Sequence, residues 1–503
     1  MKFTIPHEVK TIAETLKKNG HQAYLVGGCL RDLLLKRAPK DWDVATNALP
    51  DEIQKIFSRT EDETPTGNGG AGTVYENTFG TVGVKTESDD PTLKIVEITT
   101  FRVEGRYTDL RHPDEVRFAR TIEEDLARRD FTINSVALEL PITNYQLLKI
   151  VDPFGGQEDL KNKTIRAVGD PAKRFEEDAL RLMRAVRLAT ELGFEIEART
   201  KEAIRRRAAL LEAIAKERIR DEFVKLIMSD RAAEGVIAME DLGLLRFVAP
   251  ELREGIGCGQ NKHHIYTVFD HNVRALNYAA EKKYSFEVRL ASLLHDVGKP
   301  KTKRGDGPDS TFYNHEVVGA KMAAVIMDRL RFGNDVAERV VHLVRHHLFY
   351  YNVGEVSEAG VRRFIARVGP EYIEDLLKIR EADRIGSGVP KAFPYKLRHL
   401  LFMMEKVKKD PIHPKMLAVK GDDIMAILGI PPGPKIGKIL GVLLEEVLDD
   451  PKHNAREYLE PRVKELAALK DEELETLART AREKKNEFES GLEEEMKKRY
   501  YVK

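Results

Sequence analysis

Net charge, cysteine and long apolar segments are all scarce in this chain of 503 residues. The 83 lysines and arginines balance 83 aspartates and glutamates, so no overall field attracts nucleic acid. An RNA partner would have to bind to local basic patches, because phosphates are neutralised by Lys and Arg wherever contact occurs. The length predicts roughly two to four domains, each able to bury its own core.

The two cysteines, Cys29 and Cys258, exclude a disulfide framework and a zinc knuckle. No apolar run approaches the roughly 20 residues needed to span a bilayer, so we expect no membrane partner. The N-terminal segment MKFTIPHEVK lacks the apolar core of a secretory signal. A reducing cytoplasm is therefore the expected location.

The hydrophobic pattern of the chain changes near residue 150. Before that point, short alternating runs mixed with short helical patterns predict an α/β sheet domain. From Arg174 onward, a 3.6-residue period predicts helices over residues 174–192, 200–229, 264–281, 285–296, 315–331, 336–348, 360–383, 395–408 and 421–428. The predicted fold class is α+β and predominantly α, with a mixed-sheet head followed by an elongated all-helical body.

The first 150 residues also predict individual elements. Helices are expected over residues 7–18 and 50–57, and strands over residues 23–26, 79–85 and 93–101, with a second short strand ending at Val44 and a Gly-rich loop at 66–72. At the other end of the chain, roughly the last forty residues are rich in Glu and Lys and predict one exposed helix.

Two glycines between a predicted strand and a predicted helix lie in VGGCLRD (26–32). Gly28 would let the backbone approach a phosphate, the helix N-terminus would offer free N–H groups, and Arg31 would add a positive charge. The alternative for such a motif is a tight turn without a ligand.

Paired carboxylates follow in DWD (41–43). In a strand, Asp41 and Asp43 would project to one side and Trp42 to the other. Two carboxylates on one face suit Mg²⁺, which commonly bridges to substrate phosphates and can serve phosphoryl transfer. Glu97 is the candidate third carboxylate. The alternative for the DWD pair is a solvated turn, and the alternative for Glu97 is a strand residue that faces solvent.

A third motif, RRDFTIN (128–134), follows in the same predicted domain. Arg129 is a candidate for binding a triphosphate, and Asp130 and Asn134 are candidates for shaping the site. An ordinary charged helix end is the alternative. The ordered combination of the three motifs in one small α/β domain favours a nucleotide site.

A fourth motif, EEDALRLMRAVRLA (176–189), has a strong helical pattern. Asp178 and Arg181 are expected on neighbouring sides of one helical face, with Arg184 and Arg187 continuing the row. Cytosine and adenine both present an amino donor beside a ring-nitrogen acceptor, which a carboxylate beside a guanidinium matches. Uracil and guanine reverse that pattern and would leave buried groups unpaired. The alternative is a surface ion pair.

Taken in order and spacing, these motifs resemble the class II tRNA nucleotidyltransferases, or CCA-adding enzymes, and the related bacterial poly(A) polymerases. The resemblance covers roughly residues 20–250 and returns near 429–440. It rests on VGGCLRD (26–32), KDWDVAT (40–46), EITTFRVEGRYTDLRHPDEVRF (97–118), EEDLARRDFTIN (123–134), DPFGGQEDL (152–160), FEEDALRLMRAVRLA (175–189), ERIRDEF (217–223) and GIPPGPKIGKIL (429–440).

The resemblance implies a polymerase-β-like head, a neck that reads the base, and a body and tail that hold the tRNA acceptor arm. It implies that CTP and ATP are the nucleotides and that Mg²⁺ is the metal. The implied roles are Mg²⁺ binding by Asp41 and Asp43, nucleotide contact by Gly28, Arg31 and Arg129, and base reading or phosphate binding by Asp178, Arg181, Arg184 and Arg187. The segment 101–118 matches the flexible loop needed for the final A.

Residues 263–385 contain a separate set of metal-binding residue types. His271, the pair His295-Asp296 and Asp383 occur in the order of an HD-domain metal site. His315 and His346 lie between them as further candidate ligands, with the adjacent His347 as the alternative to His346. Imidazole with carboxylate suits Mn, Fe, Co or Ni better than Mg. The region resembles the HD superfamily of phosphohydrolases, and the alternative for any single histidine is a buried, hydrogen-bonded helix residue.

The expected function is addition of C, C and A to tRNA, with an accessory HD phosphohydrolase activity. An A-adding enzyme, a poly(A) polymerase, a nucleotide-regulated HD phosphohydrolase and a non-catalytic RNA-binding protein remain as alternatives. The expected domains are the catalytic head (1–150), the neck (151–232), a connector (233–262), the HD domain (263–400) and a helical, tRNA-binding tail (401–503).

Overall fold

The computed structural model describes residues 4–58, 72–76, 80–105, 116–140, 149–261, 265–349, 351–353, 356–389, 392, 394–481 and 483. Most of the predicted Gly-rich loop, residues 106–115 of the predicted flexible loop and the end of the predicted C-terminal helix lie outside these residues. Contacts divide the chain into two compact units, residues 1–253 with 326–332 and residues 254–325 with 333–503. The finer division into five domains stays a prediction.

The first unit contains a seven-stranded mixed sheet among the described residues, in the order β3-β4-β5-β2-β1-β8-β9. Strands β2 and β5 are parallel, and the other neighbouring pairs are antiparallel. Two short two-stranded sheets, β6-β7 and β10-β11, accompany it. The strands are β1 (Ala23–Val26), β2 (Asp43–Thr46), β3 (Gly72–Glu76), β4 (Thr81–Lys85), β5 (Ile95–Thr100), β6 (Arg102–Glu104), β7 (Val116–Phe118), β8 (Ala137–Leu140), β9 (Ile150–Val151), β10 (Thr164–Ile165) and β11 (Glu195–Ile196).

Helices cover the sheet and then continue beyond it in the same unit. They are α1 (His7–Lys18), α2 (Gly27–Leu34), α3 (Pro50–Phe57), α4 (Ile122–Ala127), α5 (Gly156–Lys161), α6 (Pro171–Glu177), α7 (Leu180–Leu192), α8 (Ala198–Arg207), α9 (Lys216–Met228), α10 (Ala232–Asp241), α11 (Leu245–Val248) and α12 (Pro250–Arg253).

The core of the head follows from the alternation of its strands. In β5, Val96 and Ile98 are fully buried while Glu97 between them is only partly buried. Trp42 and Val44 pack into the same hydrophobic core, so Asp43 projects from the opposite face of β2. The opposite face of the sheet packs a second, smaller hydrophobic cluster that includes Tyr24 and Phe101, and Asp43 projects from that face.

The second unit is helical among its described residues. Its helices are α13 (Val268–Glu281), α14 (Phe286–Leu294), α15 (Lys299–Thr302), α16 (His315–Arg329), α17 (Asn334–His346), α18 (Glu358–Val368), α19 (Ile373–Gly386), α20 (Tyr395–Val407), α21 (Gly421–Leu428), α22 (Pro434–Asp449) and α23 (Arg456–Ala468). The end of α16, from Ile326, belongs to the first unit. A separate hydrophobic cluster joins α21, α22 and α23 through residues such as Ile424, Leu443 and Val463.

Several long predicted helices are each divided in the structure. The predicted helix 360–383 ends at Val368, because Gly369 has φ +93° and Pro370 follows it, and α19 begins at Ile373. A left-handed glycine followed by proline ends a helix, since proline cannot continue the backbone hydrogen bonds. The predicted α+β, predominantly α architecture is confirmed.

Candidate active site and metal centre

The glycine turn at the end of β1 lies close to charged side chains of the head. Gly27 begins α2 with φ +72°, a conformation that favours glycine. A Cβ atom on Gly27 would lie 3.2 Å from both Arg129 Nη1 and Asp43 Oδ2. A Cβ on Gly28 would lie 3.8 Å from Arg31 Nη2 and 3.9 Å from Asp41 Oδ1. The turn is therefore surrounded by residues that three separate motifs predicted for the nucleotide site.

The three predicted carboxylates of the head lie together. Asp43 is the first residue of β2, and Glu97 is its partner in the parallel register with β5. Asp41 precedes the strand and is exposed. Burial, and then the negative charges of Asp41 and Glu97, raise the pKa of Asp43 to about 7 against the opposing effect of Arg129. Such mutual repulsion fits a cluster that binds a cation, because a divalent ion would compensate the charges.

Arg129 is oriented by a residue that the sequence reasoning missed. Asp125, fully buried, accepts hydrogen bonds from Arg129 Nε at 3.3 Å and Nη2 at 3.1 Å, and from Arg128 Nε at 2.9 Å. One edge of the Arg129 guanidinium is thus held by Asp125, and Nη1 lies towards Gly27. The sequence signal for this contact is the spacing of Asp125 and Arg129, which lie four residues apart at a helix end. Arg31 is oriented similarly, since its Nη1 donates to Asn134 Oδ1 at 3.1 Å.

The prediction that Asp178 and Arg181 share one helical face is wrong. The predicted helix is broken between α6 and α7, and Asp178 has an extended backbone with φ −139° and ψ 106°. Its Oδ1 accepts a hydrogen bond from the backbone N–H of Leu180 at 3.0 Å. An aspartate whose side chain accepts from the backbone N–H two residues later competes with continuation of the preceding helix, which accounts for the break.

The side chains of Asp178 and Arg181 consequently have different partners. Arg218 donates to both oxygens of Asp178, with Nη2–Oδ2 at 2.9 Å and Nη1–Oδ1 at 3.4 Å. Arg181 Nη1 contacts Glu177 Oε2 at 2.7 Å. Arg218 lies in the ERIRDEF segment on α9, and its contact with Asp178 was not predicted.

Arg184 and Arg187 lie on α7 as predicted, and each is bound to buried carboxylates. Arg184 donates from Nε and Nη2 to Asp130 Oδ2 at 2.8 and 2.6 Å. Burial alone would raise the pKa of Asp130, but Arg184 and Arg181 hold it well below its usual range. Arg187 Nε donates to Glu222 Oε2 at 2.5 Å. These pairs join the RRDFTIN segment and α9 to α7, so they position α7 beside the head.

In the second unit, predicted metal ligands lie together in a buried cluster. His271 is on α13, His295 and Asp296 follow α14, and Asp383 is on α19. His271 Nε2 lies 2.9 Å from His295 Nε2, 3.1 Å from Asp296 Oδ2 and 3.3 Å from Asp383 Oδ1. Lys299 Nζ contacts Asp296 Oδ2 at 2.6 Å and Gln260 Oε1 at 2.7 Å.

The donor set of this cluster fits a transition metal. Two imidazoles and two carboxylates bring four ligand atoms within 4.8 Å of one another. Burial alone would lower the pKa of His295, but Asp296 and Asp383 raise it to about 10. The cluster therefore favours a positive charge at its centre.

His315 also belongs to this cluster, whereas His346 does not. His315 Nε2 lies 3.2 Å from Asp296 Oδ1, and His347 Nε2 lies 3.7 Å from the same atom. The ring centroid of His346 instead lies 4.5 Å from the ring centroid of His342. Successive residues at a helix end project in directions about 100° apart, so only one of the adjacent histidines can face Asp296. His347, the alternative predicted ligand, is therefore the histidine that faces Asp296.

Profiles of known domain families match three parts of the chain. The Poly A polymerase head domain matches residues 23–166, the Probable RNA and SrmB- binding site of polymerase A matches residues 193–256, and the HD domain matches residues 268–386. No helix among the described residues is long and apolar enough to cross a membrane.

Characterised relatives match over most of the chain. The CCA-adding enzyme of Enterococcus faecalis is 33% identical over 460 residues, which cover 91% of this chain and 96% of the relative. This chain belongs to the tRNA nucleotidyltransferase family. Another member, the A-adding tRNA nucleotidyltransferase of Deinococcus radiodurans, is 38% identical over 346 residues, 66% of this chain and 76% of the relative.

Solved structures of the tRNA nucleotidyltransferase family share the fold. The crystal structure of the Bacillus stearothermophilus CCA-adding enzyme in complex with CTP has a TM-score of 0.64 and 27% identity, and covers 92% of this chain and 98% of its own. A CCA-adding enzyme in complex with ATP has a TM-score of 0.57, 19% identity and coverage of 91% and 94%. The family and the HD domain expected from the motifs are confirmed.

Gly27→Ala tests how close the glycine turn lies to the reacting groups of this nucleotidyltransferase. The added Cβ would press on Arg129 and Asp43 and strain a left-handed backbone, so nucleotide incorporation should fall at least about tenfold. Initial rates of incorporation with purified protein provide the measurement.

Gly20→Ala is the matched control, because Gly20 has φ +84° and no atom within 4 Å of the added Cβ. It carries the same backbone strain without crowding the site. Equal losses in the two variants would show that strain alone, and not proximity to Arg129 and Asp43, causes the effect.

Proposed function

We propose that this protein adds C, C and A in turn to the 3′ end of tRNA from CTP and ATP. The observation that carries the proposal is the convergence of Asp41, Asp43 and Glu97 with the glycine turn and Arg129. Membership of the tRNA nucleotidyltransferase family, and relatives that are named as CCA-adding enzymes, support tRNA and its acceptor arm as the substrate.

In the proposed reaction, the 3′-hydroxyl of the tRNA attacks the α-phosphorus of the nucleotide. A new phosphorus–oxygen bond forms, the bond to pyrophosphate breaks, and the hydroxyl gives up its proton. Arg129 and Arg31 bind the triphosphate, and the backbone at Gly28 approaches it closely. Asp125 and Asn134 hold these two arginines in place before the nucleotide arrives, which reduces the entropy lost on binding.

Asp41 and Asp43 are the proposed ligands of Mg²⁺, and Glu97 is the proposed third carboxylate. Bound there, Mg²⁺ supplies activation of the hydroxyl and neutralisation of the leaving pyrophosphate. The register of β2 with β5 supports this assignment, because it sets Asp43 beside Glu97 and a divalent cation would offset the charges of such neighbouring carboxylates.

Base selection is assigned to Asp178 and Arg181 at the junction of α6 and α7. A carboxylate and a guanidinium offered together match cytosine and adenine, as the sequence predicted. Both groups have another partner in this structure, Arg218 and Glu177, so reading a base requires exchange of these ion pairs. Arg184 and Arg187 lie further along α7 and support this base-reading pair.

The first experiment incubates the protein with Mg²⁺ and a tRNA that lacks its last three nucleotides, with CTP, ATP, UTP or GTP singly and together. We expect three additions that need both CTP and ATP, resolved at single-nucleotide resolution. Asp41→Ala should abolish them, because it removes a proposed metal ligand from the reacting phosphate.

Other products would assign a different activity. One A added only to a tRNA ending in CC would identify an A-adding enzyme, like the Deinococcus relative, and a long adenosine ladder would identify a poly(A) polymerase. An absence of any incorporation would contradict the proposal and favour the HD site as the principal activity.

Asp178→Ala should reduce incorporation of C and A by about 10- to 100-fold and weaken rejection of UTP and GTP, because the partly buried acceptor for the amino group is lost. Glu176→Ala is the matched control, since Glu176 is an exposed carboxylate two residues away that binds Arg207. A ratio of CTP to UTP use that stays at the wild-type value in Asp178→Ala would contradict base reading by this residue.

A second function is proposed for the HD domain, namely hydrolysis of phosphate esters. The observation that favours it is the buried cluster of His271, His295, Asp296 and Asp383, with ligands suited to Mn, Ni, Co or Fe. Such an ion lowers the pKa of bound water. A 3′-phosphate or 2′,3′-cyclic phosphate at a damaged RNA end is the proposed substrate, because its hydrolysis restores the hydroxyl needed for nucleotide addition.

The double variant His295→Ala, Asp296→Ala should lose phosphatase activity on RNA with a 3′-phosphate while it retains CCA addition, since the head contains its own metal ligands. Release of inorganic phosphate from a labelled RNA is the measurement. Unchanged phosphate release in the double variant would assign that activity to another part of the protein or to a contaminant.

A further inference from the structure

Arg218 contacts the carboxylate to which base reading is assigned. It donates to both oxygens of Asp178, with Nη2–Oδ2 at 2.9 Å and Nη1–Oδ1 at 3.4 Å. Asp178 Oδ1 also accepts from the backbone N–H of Leu180 at 3.0 Å. Among the described residues, Arg218 has no other side-chain partner, and Oδ2 has no other hydrogen-bond donor. The guanidinium therefore occupies the carboxylate oxygen that remains for a base.

The position of Arg218 in its helix does not account for its charge. Arg218 is the third residue of α9, which begins at Lys216. The N-terminus of a helix carries a partial positive charge, so a cation in the first turn is unfavourable. The interaction that favours a guanidinium at this position is the one with Asp178.

The pair of Arg218 and Asp178 is accessible to water, unlike the ion pair that joins α7 to α9 further along. The side chains of Arg218 and Asp178 are 27% and 16% exposed. Those of Arg187 and Glu222 are 11% and 5% exposed. Separation of a buried pair leaves an uncompensated charge, whereas a partly exposed guanidinium is hydrated when it leaves its partner. Arg218 can therefore leave its carboxylate during binding at a modest cost in free energy.

The amino group of cytosine or adenine can replace this guanidinium chemically. Both groups are N–H donors, so an amino group can take the position of Arg218 Nη2 on Asp178 Oδ2. Uracil and guanine present a carbonyl oxygen at the corresponding position, and a carbonyl oxygen has no hydrogen to donate. Such a base leaves Arg218 on the carboxylate, because an acceptor facing an acceptor would be unpaired.

We propose that Arg218 is a specificity-determining residue that occupies Asp178 until the amino group of cytosine or adenine displaces it. Between additions, when no base is bound, Arg218 compensates the charge of the carboxylate and holds it in place. The cost of displacement falls on CTP and ATP, since UTP and GTP do not engage Asp178. This role rests on the base reading proposed for Asp178 and adds a competitor for the same oxygen.

Arg218→Ala tests the competition in the full chain. We expect KM for CTP, on a tRNA that lacks its last three nucleotides, and KM for ATP, on a tRNA ending in CC, to fall about two- to fivefold, the size of a partly exposed ion pair. The value of kcat should not change, because Leu180 still donates to Asp178. The affinity for labelled UTP, measured by equilibrium binding without tRNA, should also remain at the wild-type value.

Arg220→Ala is the matched control, since Arg220 lies two residues further along α9 and binds Asp221. It removes the same charge and should leave KM for CTP and ATP unchanged. Arg218→Lys keeps a positive charge but loses the two-pronged contact, so its KM for CTP should fall less than that of Arg218→Ala.

A KM for CTP that is unchanged or raised in Arg218→Ala, or a lower kcat, would overturn the competition and show that Arg218 only supports Asp178. Equal gains in affinity for CTP and UTP would overturn displacement by the amino group. If Arg218→Ala does not fold, a wild-type KM in Arg218→Lys would overturn the proposal in the same way. Failure of the wild-type protein to incorporate C or A would instead contradict the base-reading function itself, so the two failures are distinguishable.

Discussion

Carboxylates that are held close together constrain the candidate site in the head. A strand pair sets Asp43 beside Glu97, with Asp41 next to them, and burial together with these neighbouring charges raises the pKa of Asp43. The rest of the unit supplies compensating arginines. Each of these arginines is oriented by a carboxylate or amide of its own, because an unpaired guanidinium inside the protein would be costly. The folded sheet and the ion pairs thus depend on one another.

Ion pairs between arginines and carboxylates also connect the head to α7. Asp130 follows Arg129 in sequence, yet its Oδ2 accepts from Arg184 of α7, while its Oδ1 accepts from Asn134, the amide that orients Arg31. Adjacent residues therefore have different tasks: Arg129 lies towards the glycine turn, and Asp130 holds the helix that carries Arg184 and Arg187. This explains why RRDFTIN is a continuous motif although its residues do not all face one ligand.

Much of this architecture could be predicted from the sequence, because it depends on local patterns. Helices α1, α3 and α21 and strand β1 have the predicted ends. Alternation in β2 sets Asp43 opposite Val44, and the parallel register of β2 with β5 places Glu97 beside Asp43. The sequence predictions fail where a side-chain hydrogen bond competes with the periodic hydrophobic pattern. The periodicity around Asp178 is helical, but its carboxylate accepts from the backbone N–H of Leu180, and the helix is divided there. The choice between His346 and His347 depends on the rotation of α17 at its last turn, which sequence periodicity leaves open.

The ligands of the HD cluster come from α13, the end of α14, α16, the end of α17 and α19, and His271 and Asp383 lie at opposite ends of that stretch of sequence. Their convergence exists only after several long loops have closed, and loop closure of this kind is slow and entropically costly. An ion held by His271, His295, Asp296 and Asp383 would cross-link α13, the end of α14 and α19 at one point, and the unfolded chain offers it no comparable geometry. The cluster would therefore couple the folding equilibrium of the second unit to the availability of metal in its surroundings.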